Sequence, residues 1–361
     1  MPDVAASFQL ASLSEKAHKL EACGYGESHR KLTMKWCLYA LGGGLGHLVR
    51  SLGLARAAVA RGHHVTLLAN SAYAPLLPVA VELGPHGAFI EILSSYDRGQ
   101  VTDFIRQTLR DQAFDVLVVD TFPRGLAGEL PEILPTLSAK KVLVHRDLNP
   151  RYVEQADLTR FVEHYDLLLS PGELGPLAEQ AHTHRTAPWL IRDFDELLDQ
   201  PAAWKQLRID RIDLPVIAVI AAGFPAETQA MSELAQRLSQ SLSDRANVRL
   251  IALGPLADTP NCPAISLWPT LAAIRGIDLL IGAGGYNTVW EARTTQTPLM
   301  AIGRPRMYDR QDVRLSDLER VANESAALTR AVAWVEHNGG QHREQVPAYE
   351  NGVHAAVQLI E

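Results

Sequence analysis

Twice in this chain an apolar, strand-length run breaks into glycines and then into a helical pattern. The first case is Lys35–Leu41 followed by Gly42-Gly43-Gly44-Leu45-Gly46-His47. The second is Leu279-Leu280-Ile281 followed by Gly282-Ala283-Gly284-Gly285-Tyr286-Asn287-Thr288. Glycine lets the backbone bend sharply and lets a ligand come close to the main chain. A helix that starts there offers free N–H groups and the positive end of its dipole, which suits a phosphate. For the second loop a nucleotide diphosphate is the expected ligand, beside the plainer reading that its glycines only make a tight turn.

The stretches around these loops alternate in the same way. After the first loop the apolar positions Leu48, Leu52, Leu54, Ala55, Ala58 and Val59 fit one face of a helix to about Ala60, with Gly62 at its C-terminal cap. Strands are expected at His64–Ala69, Phe89–Leu93, Val116–Asp120, Val142–His145 and Leu167–Ser170. Thr186 to Leu214 reads as a hinge or linker. Alternation then resumes, with strands at Val216–Ala221, Val248–Ala252, Ala264–Leu267, Asp278–Ile281 and Pro298–Ile302. Helices are expected over Glu227–Leu242, Leu271–Arg275, Thr288–Thr295 and Asp309–Asn323, with a last one from Tyr349 to Ile360. Alternating strands and helices imply parallel sheets covered on both faces. The expected class is α/β, with two Rossmann-like, doubly wound domains facing across a cleft. Residues 1–33 read as a loosely ordered extension, or as a helix over Leu10 to Glu21. Residues 34–190 form the N-terminal domain, 191–214 the linker and 215–361 the C-terminal domain.

Composition narrows the chemistry. The 361 residues carry a net charge of −7, which argues against broad attraction to nucleic acid. Lys205 is the last lysine, so a Walker P-loop is excluded from the second half, and a phosphate there must be met by N–H groups and arginine. The three cysteines are too scattered for a metal pattern or a disulfide framework, and a reducing cytoplasm is the expected setting. The longest apolar stretch, near Leu214 to Ala222, is too short to span a membrane.

Gly42–Gly46 misses the dinucleotide spacing, since its third glycine comes one residue early. The second strand ends in Asn70, not in the acid expected to hold a ribose. His47 follows the loop at a helix start, where the dipole favours a neutral imidazole suited to general-base work. Asp120 ends the Val116–Asp120 strand and is expected at the same carboxyl edge, placed to orient that base. The structural alternative has His47 bonding local backbone and Asp120 capping a turn.

In the second half, Glu291 could accept ribose hydroxyls, or it could complete a capping box with Thr288 as N-cap. Gly303-Arg304-Pro305-Arg306-Met307-Tyr308-Asp309-Arg310-Gln311 follows a strand. Its arginines suit phosphate oxygens, and Asp309 and Gln311 suit sugar hydroxyls. A solvated loop in which Asp309 caps the next helix is the alternative. Ala221-Ala222-Gly223-Phe224-Pro225 is a further turn at that edge. Trp268-Pro269 could serve a base, but packing is favoured. Asp193-Phe194-Asp195 is formally a DxD, yet it is read as opening a helix.

Together these motifs resemble the GT-B-fold glycosyltransferases that use nucleotide sugars. Gly42–His47 is similar to the N-terminal loop of family 28 enzymes and of plant UDP-glycosyltransferases. Gly282–Thr288 with Glu291, Pro298 and Asp309-Arg310-Gln311 resembles their donor motif, in matching order from about Met34 to Gln311. The resemblance implies a hexosyltransferase whose second domain binds the donor, UDP-linked by likeness, and whose first domain holds a hydroxyl acceptor along the Gly44 and Gly46 loop. Glu291 would hold ribose, and Gly284, Gly285 and Asn287 the diphosphate, with Thr288 at the same helix start. Gln311 would contact the sugar, and His47 would be the base with Asp120 as its partner. Gly223, Arg304, Arg306 and Asp309 complete the expected donor set.

The implied displacement inverts the anomeric centre, with no metal and no cofactor beyond the nucleotide sugar itself. The sequence leaves the acceptor open, and a lipid-linked one would place the protein at the membrane periphery. Two departures are visible: the long plant donor signature survives only at scattered positions, and Ala222-Gly223-Phe224 replaces a Gly-Gly-Ser-type loop. Gly44–Leu52 and Ile281–Gly285 with Trp290-Glu291 are also similar to the UDP-sugar hydrolase of pseudaminic acid biosynthesis, which gives its sugar to water. A non-catalytic nucleotide-sugar binder is the third reading.

Overall fold

The computed structural model describes residues 32–254, 262–338, 341–343 and 345–361. The expected helix over Leu10 to Glu21, and nearly all of the N-terminal extension, lie outside them.

The first sheet is built from β1 (Lys35–Ala40), β2 (His64–Ala69), β3 (Gly87–Glu91), β4 (Val116–Asp120), β5 (Lys140–Val144), β6 (Leu167–Pro171) and β7 (Thr183–Thr186). Its order is β3-β2-β1-β4-β5-β6-β7, and every pairing is parallel. The second sheet comprises β8 (Val216–Ala221), β9 (Asn247–Ala252), β10 (Ala264–Ser266), β11 (Leu279–Ala283), β12 (Leu299–Ile302) and β13 (Arg320–Val321), in the parallel order β10-β9-β8-β11-β12-β13. The expected α/β class with two Rossmann-like domains is the observed one.

The strands read clearly because they are buried on both faces. In β1, Trp36, Leu38 and Ala40 join one core cluster, while Cys37 and Tyr39, with Leu41 just after the strand, join the cluster on the opposite face. The first of these clusters runs on through Trp189, Leu190 and Ile191 to Leu271, Leu280 and Val353, so one apolar core is shared by both domains.

The helices that matter for the site are α1 (Leu45–Ala60), α2 (Arg98–Asp111), α3 (Pro225–Ser241), α4 (Tyr286–Thr294), α5 (Glu324–Asn338) and α6 (Gly352–Ile360). The last of these returns to the first domain and packs on α1, β6 and β7. No helix among the described residues is long and apolar enough to cross a membrane.

One expectation is corrected. The stretch Asp309–Asn323 is not one helix: only Gln311–Arg314 is helical there, and α5 begins where the expected helix ends. The backbone has other partners. Asp309 bridges antiparallel to Leu148 of the first domain, Glu319 closes a turn on Ser316, and Arg320 pairs with Ala301 at the sheet edge. Asn323 instead starts a helix, its side chain accepting from Ala326 N at 3.0 Å. The stretch Thr186 to Leu214, read as a hinge or linker, follows the edge strand β7 and carries a 3-10 turn at Phe194–Glu196 and a helix at Gln200–Gln206. Asp193 does open that turn as its N-cap.

Candidate active site

Each sheet reverses its strand order at one point, and each glycine loop lies beside it. In the first sheet the switch falls between β1 and β4, where Ala40 is in register with Asp120. In the second it falls between β8 and β11, which brings the Gly223 turn beside Gly284 and Gly285. Crevices at such points are where open α/β sheets bind ligands.

Gly42 has φ +122°, and a Cβ on it would stand 2.6 Å from His47 Cδ2. Only glycine lets the chain turn there while the imidazole lies across it. Asn70 accepts from Gly42 N at 2.9 Å, and Ser71 Oγ donates to Gly44 O at 3.2 Å. The residue that broke the dinucleotide pattern is thus a brace for the loop. Gly44 is the N-cap of α1, and Gly46 lies in its first turn with open space beside it.

His47 Nδ1 lies 2.5 Å from Asp120 Oδ2, so the two sequence candidates meet. Nδ1–H then faces the carboxylate, and Nε2 is left as the acceptor. The His47 side chain is 17% exposed, enough for a small group to reach it. Burial, above all, holds its pKa below the ordinary histidine value. Asp120 pulls it upward, and Arg50 and Arg146 push it down. Burial raises the Asp120 carboxyl, but Arg50 foremost, with His47, outweighs this and brings it to about 2. At neutral pH the pair is a neutral imidazole held by a carboxylate.

Arg50 was not among the sequence candidates. It is 1% exposed and donates to both Asp120 oxygens. Its spacing of three from His47 puts both on one helix face, which is the signal that could have found it.

The donor-side candidates converge as well. The N-cap of α4 is Gly285, not Thr288, so the expected capping box is not formed. Strand β11 ends at Ala283, and Tyr286 is already helical. Its hydroxyl accepts from Trp189 N at 3.1 Å and donates to Pro171 O at 3.2 Å. The Glu291 carboxylate makes no hydrogen bond or ion pair among the described residues, and burial pushes it up to about 8. Asn287 Oδ1 is buried without a partner among the described residues. Asn287 can accept a hydrogen bond, and a protonated Glu291 can donate one.

Other expected ligands are already engaged. Arg306 forks onto Glu227, with both contacts at 2.7 Å, and Arg304 pairs with Glu324 at 2.5 Å. Gln311 Oε1 accepts from Arg304 N at 3.1 Å, and Gly284 packs against Gln311 and Leu315. Asp309 caps no helix; it accepts from Arg146 at 2.9 Å and from Arg314 at 2.6 Å. Tyr73 of the first domain donates to Gly223 O at 2.5 Å. Trp268 is packed, as expected, its Nε1 donating to Glu82 at 2.9 Å.

Sequence reasoning missed the charged tripeptide His145-Arg146-Asp147 after β5, and Glu173 after β6. Arg146, Asp147 and Glu173 face Asp309, Arg310 and Arg314 of the second domain. Beside them Tyr308 packs on Phe122 and Tyr152 at ring distances of 5.3 and 4.7 Å, and Phe122 lies 5.6 Å from His47. The signal was available: charges directly after apolar strands mark the carboxyl edge.

No family model matches the chain, and no curated protein matches it. Solved structures do. The glycosyltransferase of kitacinnamycin superposes with a TM-score of 0.55 at 15% identity, over 91% of this chain and 98% of that one. CalG4, the calicheamicin glycosyltransferase, gives 0.56 at 15% over 91% and 94%. UGT89C1 of Arabidopsis thaliana, complexed with UDP, gives 0.56 at 14% over 84% and 91%. The chain has the GT-B fold of these glycosyltransferases.

Proposed function

We propose that this chain is a glycosyltransferase that moves a sugar from a nucleotide diphosphate sugar, UDP-linked in our reading, to an acceptor hydroxyl. The observation that carries the proposal is the 2.5 Å contact of His47 Nδ1 with Asp120 Oδ2 at the first sheet's switch point. It leaves Nε2 free as a base within a fold whose second domain presents a glycine-started helix. Two structural neighbours add support for the ligand class: UGT89C1 is complexed with UDP, and the spinosyn rhamnosyltransferase SpnG with thymidine diphosphate.

In the proposed reaction His47 Nε2 takes the proton of the acceptor O–H while Nδ1–H stays on Asp120. The acceptor oxygen forms a bond to the anomeric carbon. The bond from that carbon to the diphosphate oxygen breaks, and the nucleoside diphosphate leaves with the electron pair. Attack opposite the leaving group inverts the anomeric centre. Negative charge growing on the diphosphate is met by the N–H groups of Gly285 to Thr288 and the dipole of α4, with Arg304 or Arg306 released from its carboxylate, so this scheme calls on no metal. Asn287 would approach the same phosphates and Glu291 the ribose hydroxyls. Gly223 leaves room at the facing turn, and Gln311 with Asp309 lies toward the sugar.

The test is turnover with a panel of nucleotide sugars, with and without acceptor alcohols. Nucleotide release that requires an acceptor supports the transferase. Release into water with stoichiometric free sugar identifies a hydrolase of the same fold instead, and binding without release identifies a non-catalytic binder. Full turnover in His47→Ala removes the base assignment.

A further inference from the structure

Asp120 is held by more than its histidine. Arg50 Nε donates to Oδ1 at 3.0 Å, and Nη2 reaches Oδ1 at 2.5 Å and Oδ2 at 2.7 Å. The same Nη2 donates to Thr121 Oγ1 at 3.0 Å and stands 3.5 Å from His47 Nδ1. Thr121 has φ +71°, a left-handed conformation that a β-branched residue rarely adopts. Phe122 N donates to Asp120 O at 2.8 Å, closing a three-residue turn around it. Both flanks of that turn meet His47: the Asp120 carboxylate at 2.5 Å from Nδ1 and the Phe122 ring at 5.6 Å between centroids. Strained backbone of this kind persists only where neighbours over-determine it: here Thr121 N donates to Val144 O at 2.9 Å, and the buried Arg50 guanidinium holds the hydroxyl and the carboxylate beside it.

The same guanidinium also meets the second domain in a buried contact. Its guanidinium carbon lies 5.0 Å from the ring centroid of Tyr286, the first residue of α4. Nη1 is buried with no hydrogen-bond partner among the described residues. Contact with a ring face is what compensates it.

We infer that Arg50 is a positioning residue of the base assembly, fixing the Asp120 carboxylate and the Thr121 turn around His47 and tying both to the start of the donor-side helix at Tyr286. Its effect on catalysis rests on the proposed role of His47; its effect on the His47 ring does not. The charged groups facing the imidazole are Asp120 from β4, Arg50 from its own helix and Arg146 from the segment after β5. Removing Arg50 takes away one of the two positive charges and leaves Asp120 free to favour the imidazolium.

The experiment is an NMR titration of the His47 imidazole in the full chain, run on the native protein, Arg50→Gln and Arg50→Lys, with kcat and KM measured across pH beside it. In Arg50→Gln the His47 midpoint is expected to rise by about one pH unit, and the acid limb of kcat/KM to move with it. Arg50→Lys keeps the charge without the planar fork. Its midpoint should stay near the native one while kcat falls on the order of 10-fold to 100-fold at unchanged KM for the donor. An unmoved midpoint in a folded Arg50→Gln overturns the inference, as does native kcat in Arg50→Lys. Should Arg50→Gln fail to fold, the kcat and midpoint of Arg50→Lys decide. If the native protein turns over no nucleotide sugar, the proposed function fails, and the titration still tests Arg50.

Discussion

Glu173, just past β6 of the first domain, accepts from Arg314 Nε of the second at 2.7 Å, and their side chains are only 8% and 2% exposed. This pair crosses between the domains where solvent hardly reaches. Glu173→Gln removes one of the two carboxylates on Arg314 and leaves Asp309, so it should lower stability by about 1.5–3 kcal/mol. Urea denaturation at pH 7 measures this, and a loss under about 1 kcal/mol would mean that water already screens the pair.

The same interface sets an acid limit. Burial raises the Glu173 carboxyl, but Arg146 and Arg314 outweigh it and hold it at about 2; Asp309 is likewise brought to about 2 against its burial, Arg146 foremost. Carboxylates in an unfolded chain titrate near 4. The stabilisation from both is therefore complete above about pH 5 and drains away as pH falls through about 2. Unfolding free energies from pH 6 downward should show this slope, and Glu173→Gln should flatten it.

Gly42→Ala separates chemistry from donor binding. The added Cβ falls on His47 Cδ2, in a backbone conformation unfavourable to alanine. Displacing the imidazole from Asp120 should cut kcat by about 100-fold or more, whereas UDP affinity by calorimetry should stay within about twofold. A large loss of UDP affinity would place the nucleotide on the first loop instead.

Glu291 carries the opposite pH signature. Its carboxyl keeps the proton up to about pH 8 in the folded chain, while the unfolded one sheds it near pH 4. Between those values the group makes the fold progressively less stable as pH rises. Glu291→Gln should remove that slope and gain on the native protein at pH 8 but not at pH 5. It should also weaken nucleotide binding several-fold, by about one hydrogen bond. Unchanged nucleotide affinity would separate Glu291 from the ribose.

Arg306 can serve a phosphate only by leaving Glu227. Arg306→Ala should weaken UDP binding about tenfold. Glu227→Gln removes the competing charge and should tighten it. Equal affinity in both variants would exclude Arg306 from the donor site.

The strands were legible from the chain because segments such as Val116–Asp120 and Val216–Ala221 are buried on both faces and read as unbroken apolar runs. His47 and Asp120 were legible as a pair because one follows the loop after β1 and the other ends β4, and parallel sheets gather such positions at one edge. Arg50 escaped although it shares a helix face with His47, because that spacing gains a meaning only once the register of β1 with β4 brings Asp120 to the same face. Thr288 has the chemistry of an N-cap, but Tyr286 must already be helical to reach Trp189 and Pro171, and that tertiary demand outranks local capping. The stretch Asp309–Asn323 is not one helix for a similar reason: Asp309 bridges to Leu148 of the other domain, and Arg320 pairs with Ala301 at the sheet edge.

The α6 helix has a consequence for how the molecule is made. Asn351 Oδ1 accepts from Leu190 N at 3.0 Å, Lys140 Nζ donates to Ile360 O at 2.7 Å, and Glu361 pairs with Arg61 and His63. The first domain therefore borrows a wall from residues that leave the ribosome after the whole second sheet. The faces of α1 and β7 under α6 are thus covered only after the second sheet has been made.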